Sequence, residues 1–455
     1  MRKFFAALVI AALALPASAA QVPQSAGQVQ LTFAPIVKRV APAVVNVYAR
    51  SVVQQPMNPL FADPFFQRFF GGSAEMRQRV QQSLGSGVIV RADGVILTNN
   101  HVVAGGQDIV VALADRREFK AKVLLADSHT DLAVLKIDTK GEHLPTVEFG
   151  DSDRLQVGDL VLAIGDPFGV GQTVTMGIVS ALARTEAAGN YQFIQTDAAI
   201  NPGNSGGALV TTDGKLAGIN TAIYSRTGES IGIGFAIPAN LARRVVEGTL
   251  AGGGIKLPWF GADGQTVTAE IAQTLGLPRP VGVLLKSVYP GGPAAAAGLK
   301  TGEVVESIDG VDVEDMQALN TRVATHKAGD GVKVHLAGNH DVAVHRALPP
   351  ENPPRDETTI AGRNPMTGAR VENLSPAVAS DLQVSFAARG VVVVNVSAES
   401  LAGRYGFQPG DIIRSVNGAE IHTVAELTRA LTTAGGHWTL VVDRGGQRLT
   451  LNVEG

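Results

Sequence analysis

The sequence predicts a mainly β chain in which a large, two-part β domain is followed by two smaller α+β modules. Three observations lead there. Short apolar runs alternate with glycine-containing turns throughout, and the 455 residues include 52 glycines but only two tryptophans, a composition that suits many short strands better than long helices. A repeat at a fixed offset of 108 residues pairs Gly282 with Gly390, Gly298 with Gly406, Gly302 with Gly410, Ser307 with Ser415 and Gly310 with Gly418, so one module occurs twice. Between these features lies Asn201-Pro202-Gly203-Asn204-Ser205-Gly206-Gly207, a glycine-flanked turn directly before the apolar run Ala208-Leu209-Val210.

The first twenty residues read as a signal peptide. Arg2-Lys3 precede an apolar run from Phe4 to Leu15, and Ala17-Ser18-Ala19 offer small residues for cleavage. The run is too short to span a bilayer, so any membrane association is expected to be at most peripheral. Without Arg2 and Lys3 the chain has 36 basic against 41 acidic residues, a formal charge of about minus five. No basic stripe is visible, which disfavours nucleic-acid binding. The chain has no cysteine, which removes disulfides, thiolate nucleophiles and cysteine-bound zinc from consideration.

Residues 35–47 predict a short amphipathic turn and a first strand. Residues 51–82 are expected to form a long connection carrying Phe61, Phe65, Phe66, Phe69 and Phe70. A loop of that length is usually functional or disordered, and its aromatic cluster suits either local packing or a docking patch. Next comes the strand-like Gly85-Ser86-Gly87-Val88-Ile89-Val90, a turn at Arg91-Ala92-Asp93-Gly94, and Ile96-Leu97-Thr98-Asn99-Asn100-His101. Asp131 stands at the mouth of another apolar run, Leu132-Ala133-Val134-Leu135.

A serine hydroxyl is a weak nucleophile until an imidazole takes its proton, and the imidazole needs a carboxylate to orient it. His101, Asp131 and Ser205 supply these three groups, in that order, at separations of 30 and 74 residues. This is the chymotrypsin-like chain order, with room for one six-stranded barrel around His101 and Asp131 and a second carrying the serine. Glycines around Ser205 let backbone N–H groups approach a substrate carbonyl, so Gly203, Asn204 and Ser205 are the candidate oxyanion hole.

The blocks Thr98-Asn99-Asn100-His101-Val102-Val103, Asp131-Leu132-Ala133-Val134-Leu135-Lys136 and Gly203-Asn204-Ser205-Gly206-Gly207-Ala208-Leu209 resemble the three catalytic blocks of HtrA/DegP-type serine proteases. Residues 158–165, 195–201 and 232–238 resemble the barrel strands and substrate-facing loops of that family, and the likeness spans nearly the whole chain after the signal peptide. It implies a chymotrypsin-like double six-stranded β-barrel over residues 21–254. It also implies that Ile200, Ala222 and Ile223 wall the primary side-chain pocket. No acidic residue lies there, so small or branched apolar residues are expected before the cleaved bond. Such residues are buried in folded proteins, which points to unfolded or misfolded substrates. The resemblance further implies that the long loop reaches neighbouring active sites in a homo-oligomer, a trimer and larger cages built from it. The expected function is ATP-independent periplasmic quality control by proteolysis, with a proteolytically silent chaperone or scaffold as the alternative.

Residues 238–250 predict a helix stopped by Gly252-Gly253-Gly254. Beyond it, Gly291-Gly292-Pro293-Ala294 with Gly302-Glu303-Val304-Val305 and Ile308-Asp309-Gly310 resembles a PDZ domain, placed at residues 255–350. The second copy, at 355–455, lacks the Gly-x-Pro-Ala run but keeps Gly410-Asp411-Ile412-Ile413 and Val416-Asn417-Gly418. PDZ domains capture C-terminal peptides by strand addition. Trp259, Phe260, Gly261 and Ala262 are the candidate carboxylate-binding turn of the first copy, or else an ordinary aromatic strand start. Residues 364–369 are the weaker counterpart in the second, which suits assembly or positioning more than capture. Pro-rich 348–354 reads as a stiff spacer. His335, His340 and His345 lie close in sequence, but Ala337-Gly338-Asn339-His340-Asp341 reads as a hairpin turn, and no metal or other cofactor is expected.

Overall fold

The computed structural model describes residues 32–56, 76–166, 171–184, 191–201, 203–223, 232–252, 257–325, 328–382, 384–386, 388–433 and 435–454. The proposed signal peptide lies outside them.

Six strands close the first barrel: β1 (Val44–Pro56), β2 (Met76–Arg91), β3 (Val95–Asn99), β4 (Asp108–Ala112), β5 (Glu118–Asp127) and β6 (Leu132–Ile137), in the order β1-β2-β3-β6-β5-β4. Its sequence logic is burial on both sides where strands are central and alternation at the flank. Every residue of Val95-Ile96-Leu97-Thr98-Asn99 is buried, whereas Asp108-Ile109-Val110-Val111-Ala112 alternates. Six more strands close the second barrel: β7 (Leu160–Gly165), β8 (Thr173–Arg184), β9 (Phe193–Thr196), β10 (Ala208–Thr211), β11 (Leu216–Ile223) and β12 (Gly234–Pro238), in the order β10-β11-β12-β9-β8-β7. The helix Ala239–Leu250 follows β12 and buries Leu241, Ala242, Val245 and Val246. These join a cluster that contains Val45, Ile89, Leu135 and Ile237, so the helix ties the two barrels to one core.

The connection expected at residues 51–82 is shorter than that. β1 and β2 form an antiparallel arm in continuous register from Val44↔Val88 to Pro56↔Met76. The segment Arg77-Gln78-Arg79-Val80-Gln81-Gln82 lacks the apolar alternation that marks a half-buried strand. Its backbone pairing with the outgoing arm makes it a strand. The five phenylalanines lie outside the described residues.

The repeat appears as two sheets. The first contains β13 (Ala262–Thr266), β14 (Val283–Val288), β15 (Val304–Ile308), β16 (Val311–Asp312), β17 (Gly331–Leu336) and β18 (His340–His345). The turn between β17 and β18 takes only residues 337–339 of the hairpin turn expected at 337–341, because His340 and Asp341 already pair with Leu336 and His335. The second contains β19 (Thr358–Thr359), β20 (Ala369–Asn373), β21 (Val391–Val396), β22 (Ile412–Val416), β23 (Ala419–Glu420), β24 (His437–Arg444) and β25 (Gln447–Glu454). Each packs one main helix on its sheet, Met316–Ala324 in the first and Val424–Thr433 in the second. Their interiors are separate apolar clusters, one around Phe260, Leu285 and Val334 and the other around Val371, Leu427 and Leu440.

Leu135 is fully buried in the first barrel, while Leu160 at the start of β7 is 38% exposed. Leu135→Ala is expected to lower unfolding free energy by about 2–5 kcal/mol and Leu160→Ala by about 0.5 kcal/mol. Urea unfolding followed by circular dichroism measures both.

Candidate active site

The first barrel brings His101 and Asp131 together. β3 ends at Asn99 and the short helix Asn100–Val103 begins at once, which places the His101 side chain, half exposed, at the barrel rim. Asp131 enters β6 with φ of 51°, a left-handed conformation that aspartate tolerates better than most residues. Its carbonyl accepts from Asn100 N–H at 3.0 Å and from Asn99 Nδ2 at 3.0 Å. Its carboxylate lies 2.8 Å (Oδ2) and 3.0 Å (Oδ1) from His101 Nδ1 and accepts the His101 backbone N–H at 3.1 Å. The turn before it is built by Asp127, which accepts from Thr130 N–H at 2.9 Å and Thr130 Oγ1 at 2.6 Å. Burial pushes the Asp127 carboxyl up, but the bonds from His129 and Thr130 outweigh it and hold it below the ordinary carboxylate value.

The second barrel presents Ser205 through a turn held from the first. Ser86, on β2, donates its Oγ to the Gly203 carbonyl at 2.6 Å and its N–H to the Ser205 carbonyl at 2.7 Å, while its own Oγ accepts from Asp166 N–H at 2.9 Å. Thr98 Oγ1 donates to the Ser86 carbonyl at 2.7 Å. The fit leaves no room for a side chain at Gly206, where φ is 84° and a Cβ would stand 2.1 Å from the Ser86 carbonyl oxygen. This close approach requires glycine.

Thr221 joins the two halves. At an irregularity in the pairing of β11 with β12, its Oγ1 donates to Asp131 Oδ2 at 2.6 Å and its carbonyl accepts from Ser205 Oγ at 2.9 Å. The serine hydroxyl is therefore turned to Thr221 and not to His101 Nε2. Ser86 and Thr221 were not singled out from sequence. A serine between two glycines ahead of a strand was the available signal for the former; nothing local marks the latter.

Of the candidate oxyanion donors, Asn204 N–H is bonded to the Asn201 carbonyl at 3.0 Å. The N–H groups of Gly203 and Ser205 have no backbone acceptor among the described residues. Ile200 is 1% exposed and sits in the second barrel's apolar cluster with Ala198, Leu209 and Ala236. It packs where a Cβ on Gly234 would meet its Cδ1 at 2.8 Å. Ala222 and Ile223 belong to β11, opposite Phe235 and Gly234; their side chains lie outside the described residues.

The candidate turn Trp259-Phe260-Gly261-Ala262 lines a cavity of about 270 Å³ with Asp263 of β13 and Met316 and Asn320 of the helix Met316–Ala324. This is the position of a strand-addition groove, between an edge strand and a helix. Its mouth is crowded. Phe386, from the second module, meets Trp259 edge-on with ring centres 5.5 Å apart and lies 5.9 Å from Tyr289. Ser385 Oγ donates to Asp263 Oδ2 at 3.1 Å. The same helix touches the second barrel's surroundings, since Gln192 N–H donates to Thr321 Oγ1 at 2.7 Å and Arg322 pairs with Asp153 at 3.5 Å. Tyr191, partly buried at this junction, has its phenol pushed up by desolvation and by the charges of Asp127 and Asp381.

Thr221→Val keeps the strand and the carbonyl but deletes the bond to Asp131. A hydrogen bond to a charged group contributes about 1.5–3 kcal/mol, so kcat/KM for peptide hydrolysis is expected to fall roughly 10- to 100-fold with little change in KM. Steady-state kinetics on a fluorogenic peptide checks this.

The chain matches the trypsin-like peptidase domain family over residues 85–219 and the PDZ domain family over residues 257–343 and again over 365–454. It is 39% identical over 415 residues to a probable periplasmic serine endoprotease DegP-like of Marinomonas sp. (strain MWYL1), covering 87% of both chains. It is 36% identical over 428 residues to the periplasmic pH-dependent serine endoprotease DegQ of Escherichia coli (strain K12), covering 92% of this chain and 90% of the relative. Among solved structures, an HtrA-type protease AlgW with tripeptide superposes with a TM-score of 0.51 at 42% identity, covering 70% of this chain and 98% of the other. The chain therefore belongs to the HtrA/DegP family of serine endoproteases, with a trypsin-like peptidase domain followed by two PDZ domains.

Proposed function

We propose that this serine endoprotease degrades unfolded or damaged proteins in the periplasm without ATP, cleaving after small or branched apolar residues. The observation that carries the chemistry is the continuous path from His101 through Asp131 and Thr221 to Ser205. With Nδ1–H donated to Asp131, His101 Nε2 is the free lone pair of the imidazole. Ser205 Oγ attacks the peptide carbonyl carbon, and His101 takes the hydroxyl proton and then returns it to the leaving amine. Water repeats the sequence to release the acyl group. Gly203 and Ser205 N–H groups hold the oxyanion, each worth about 2.7–4 kcal/mol of barrier by analogy with a single donor.

The reaction requires Ser205 Oγ to turn from the Thr221 carbonyl to His101. Substrate binding and assembly into trimers or larger cages supply that rearrangement, and peptide capture by the first PDZ domain regulates it. The contact of its groove helix with Gln192 and Asp153 supports this reading. The relatives named periplasmic and the signal-like N-terminus support the compartment. No helix of the described residues is long and apolar enough to cross a membrane.

Ser205→Ala is expected to abolish cleavage of unfolded casein while leaving the oligomer size unchanged by light scattering. Unchanged cleavage sinks the assignment, and clean loss of cleavage with retained suppression of aggregation shows how much of the alternative chaperone role the same chain carries. Phe386→Ala removes two aromatic contacts worth about 0.5–1.5 kcal/mol each beyond their buried area. Peptides with free apolar C-termini should then bind the first PDZ domain about 5- to 150-fold more tightly, as fluorescence anisotropy measures.

A further inference from the structure

The two PDZ sheets differ at one edge. In the first, β13 is the terminal strand; in the second, the equivalent β20 has β19 added outside it. That extra strand lies inside the 355–455 expected for the second module but ahead of the residues 365–454 that match the PDZ family, so residues 355–362 are a linker leading into that module. The linker runs antiparallel along β20 for its full length. Asn373 N–H donates to the Arg355 carbonyl at 2.8 Å, Thr358 stands opposite Val371, and Thr359 opposite Arg370. Ile360 N–H then donates to the Ala369 carbonyl, and Gly368 N–H to the Ile360 carbonyl, both at 2.8 Å.

Thr367-Gly368 is the counterpart of Phe260-Gly261, because Ala402 N–H binds the Thr367 carbonyl at 3.1 Å as Ala294 N–H binds that of Phe260 at 3.0 Å. The Gly368 N–H is thus positioned where a captured C-terminus would place a carboxylate oxygen, and it holds the Ile360 carbonyl. The side chains follow the same pattern. Ile360 is 2% exposed in the cluster that includes Met366, Leu427 and Leu431, Thr359 is exposed and Thr358 half-buried. Arg355 anchors the approach through Glu372 at 3.1 Å and Asp381 at 2.7 Å. After Ile360 the chain turns away at Gly362, where φ is 95°.

We propose that Thr358-Thr359-Ile360 is a built-in ligand of the second PDZ groove. The groove recognises an extended segment whose last side chain is a branched apolar residue, and while the linker is seated it takes no free C-terminus. A tethered ligand acts at an effective concentration of the order of millimolar, so a free peptide competes only when the linker leaves. The inference rests on the second module being a PDZ domain; peptide capture by the first is a separate reading.

The chain has no cysteine, so Thr359→Cys with Arg370→Cys places one unambiguous disulfide across directly opposed residues and locks the linker. Ile360→Asp releases it by putting a charge in the apolar pocket. Both changes are made in the full chain carrying Ser205→Ala, so that the ligand is not cleaved. The ligand is a photo-crosslinking octapeptide ending in Thr-Thr-Ile with a free carboxylate, and crosslinks are mapped by mass spectrometry. The unmodified and locked linkers are expected to give no crosslinks at residues 366–371 or the helix Val424–Thr433, and the released linker to give them and to add one bound peptide per chain. Crosslinks there in the locked chain, or none in a released chain whose second module still unfolds cooperatively, overturn the proposal. If Ile360→Asp unfolds the module, hydrogen exchange in the unmodified linker decides: amides of residues 358–361 at least tenfold slower than an unstructured peptide support it, and exchange at the unstructured rate overturns it. Absence of crosslinks at 259–263 alone counts against capture by the first module and leaves this inference standing.

Discussion

Everything chemical in this protein depends on hydrogen bonds across the seam between two barrels. His101 and Asp131 come from one, Ser205 from the other, and neither barrel alone has a site. Ser86 reaches from β2 to the carbonyls of Gly203 and Ser205, and Thr221 reaches back from β11 to Asp131. Because these donors and acceptors are largely shielded from water, leaving one unpaired costs more than a surface bond would. The seam is therefore specified in both position and orientation, and Gly206 is the point where the two backbones come too close for any side chain.

The same seam leaves one degree of freedom. Ser205 Oγ bonds to Thr221 rather than to the imidazole, while the His101 and Asp131 geometry is complete. The loop backbone is held by its carbonyls, and the N–H groups of Gly203 and Ser205 have no backbone acceptor among the described residues. Control of such an enzyme can act on the serine side alone, without disturbing the base. The helix Met316–Ala324 touches both the second barrel's surroundings and the cavity beside Trp259, and its Thr321 accepts from Gln192 N–H.

The two PDZ copies show how one fold diverges through its edges. Their cores repeat the same apolar pattern, yet the edge strand of one faces a cavity roofed by Phe386 and that of the other is covered by its own linker. An uncovered edge strand is a binding site and also a liability. Here both edges meet other parts of the same chain.

By itself the sequence determined the elements whose signals are local. Apolar runs bounded by glycine marked the barrel strands, the 108-residue offset marked the repeated module, and Gly203-Asn204-Ser205-Gly206-Gly207 marked a serine on a tight turn. His101 and Asp131 were legible because each sits where an apolar strand meets a polar turn. The length of β1 and β2 was not, since residues 77–82 lack the apolar alternation of a half-buried strand and show themselves as one through backbone pairing with β1. Nor were Thr221 and Ser86, whose roles exist only because distant strands bring them to the seam, or Ile360, which looks like any linker residue until β20 lies beside it. Tertiary structure decided those because the bonds of Thr221 and Ser86 join residues 90 or more apart, and the pairing of the arm and of Ile360 with β20 is made by backbone groups, neither of which leaves a trace in local periodicity.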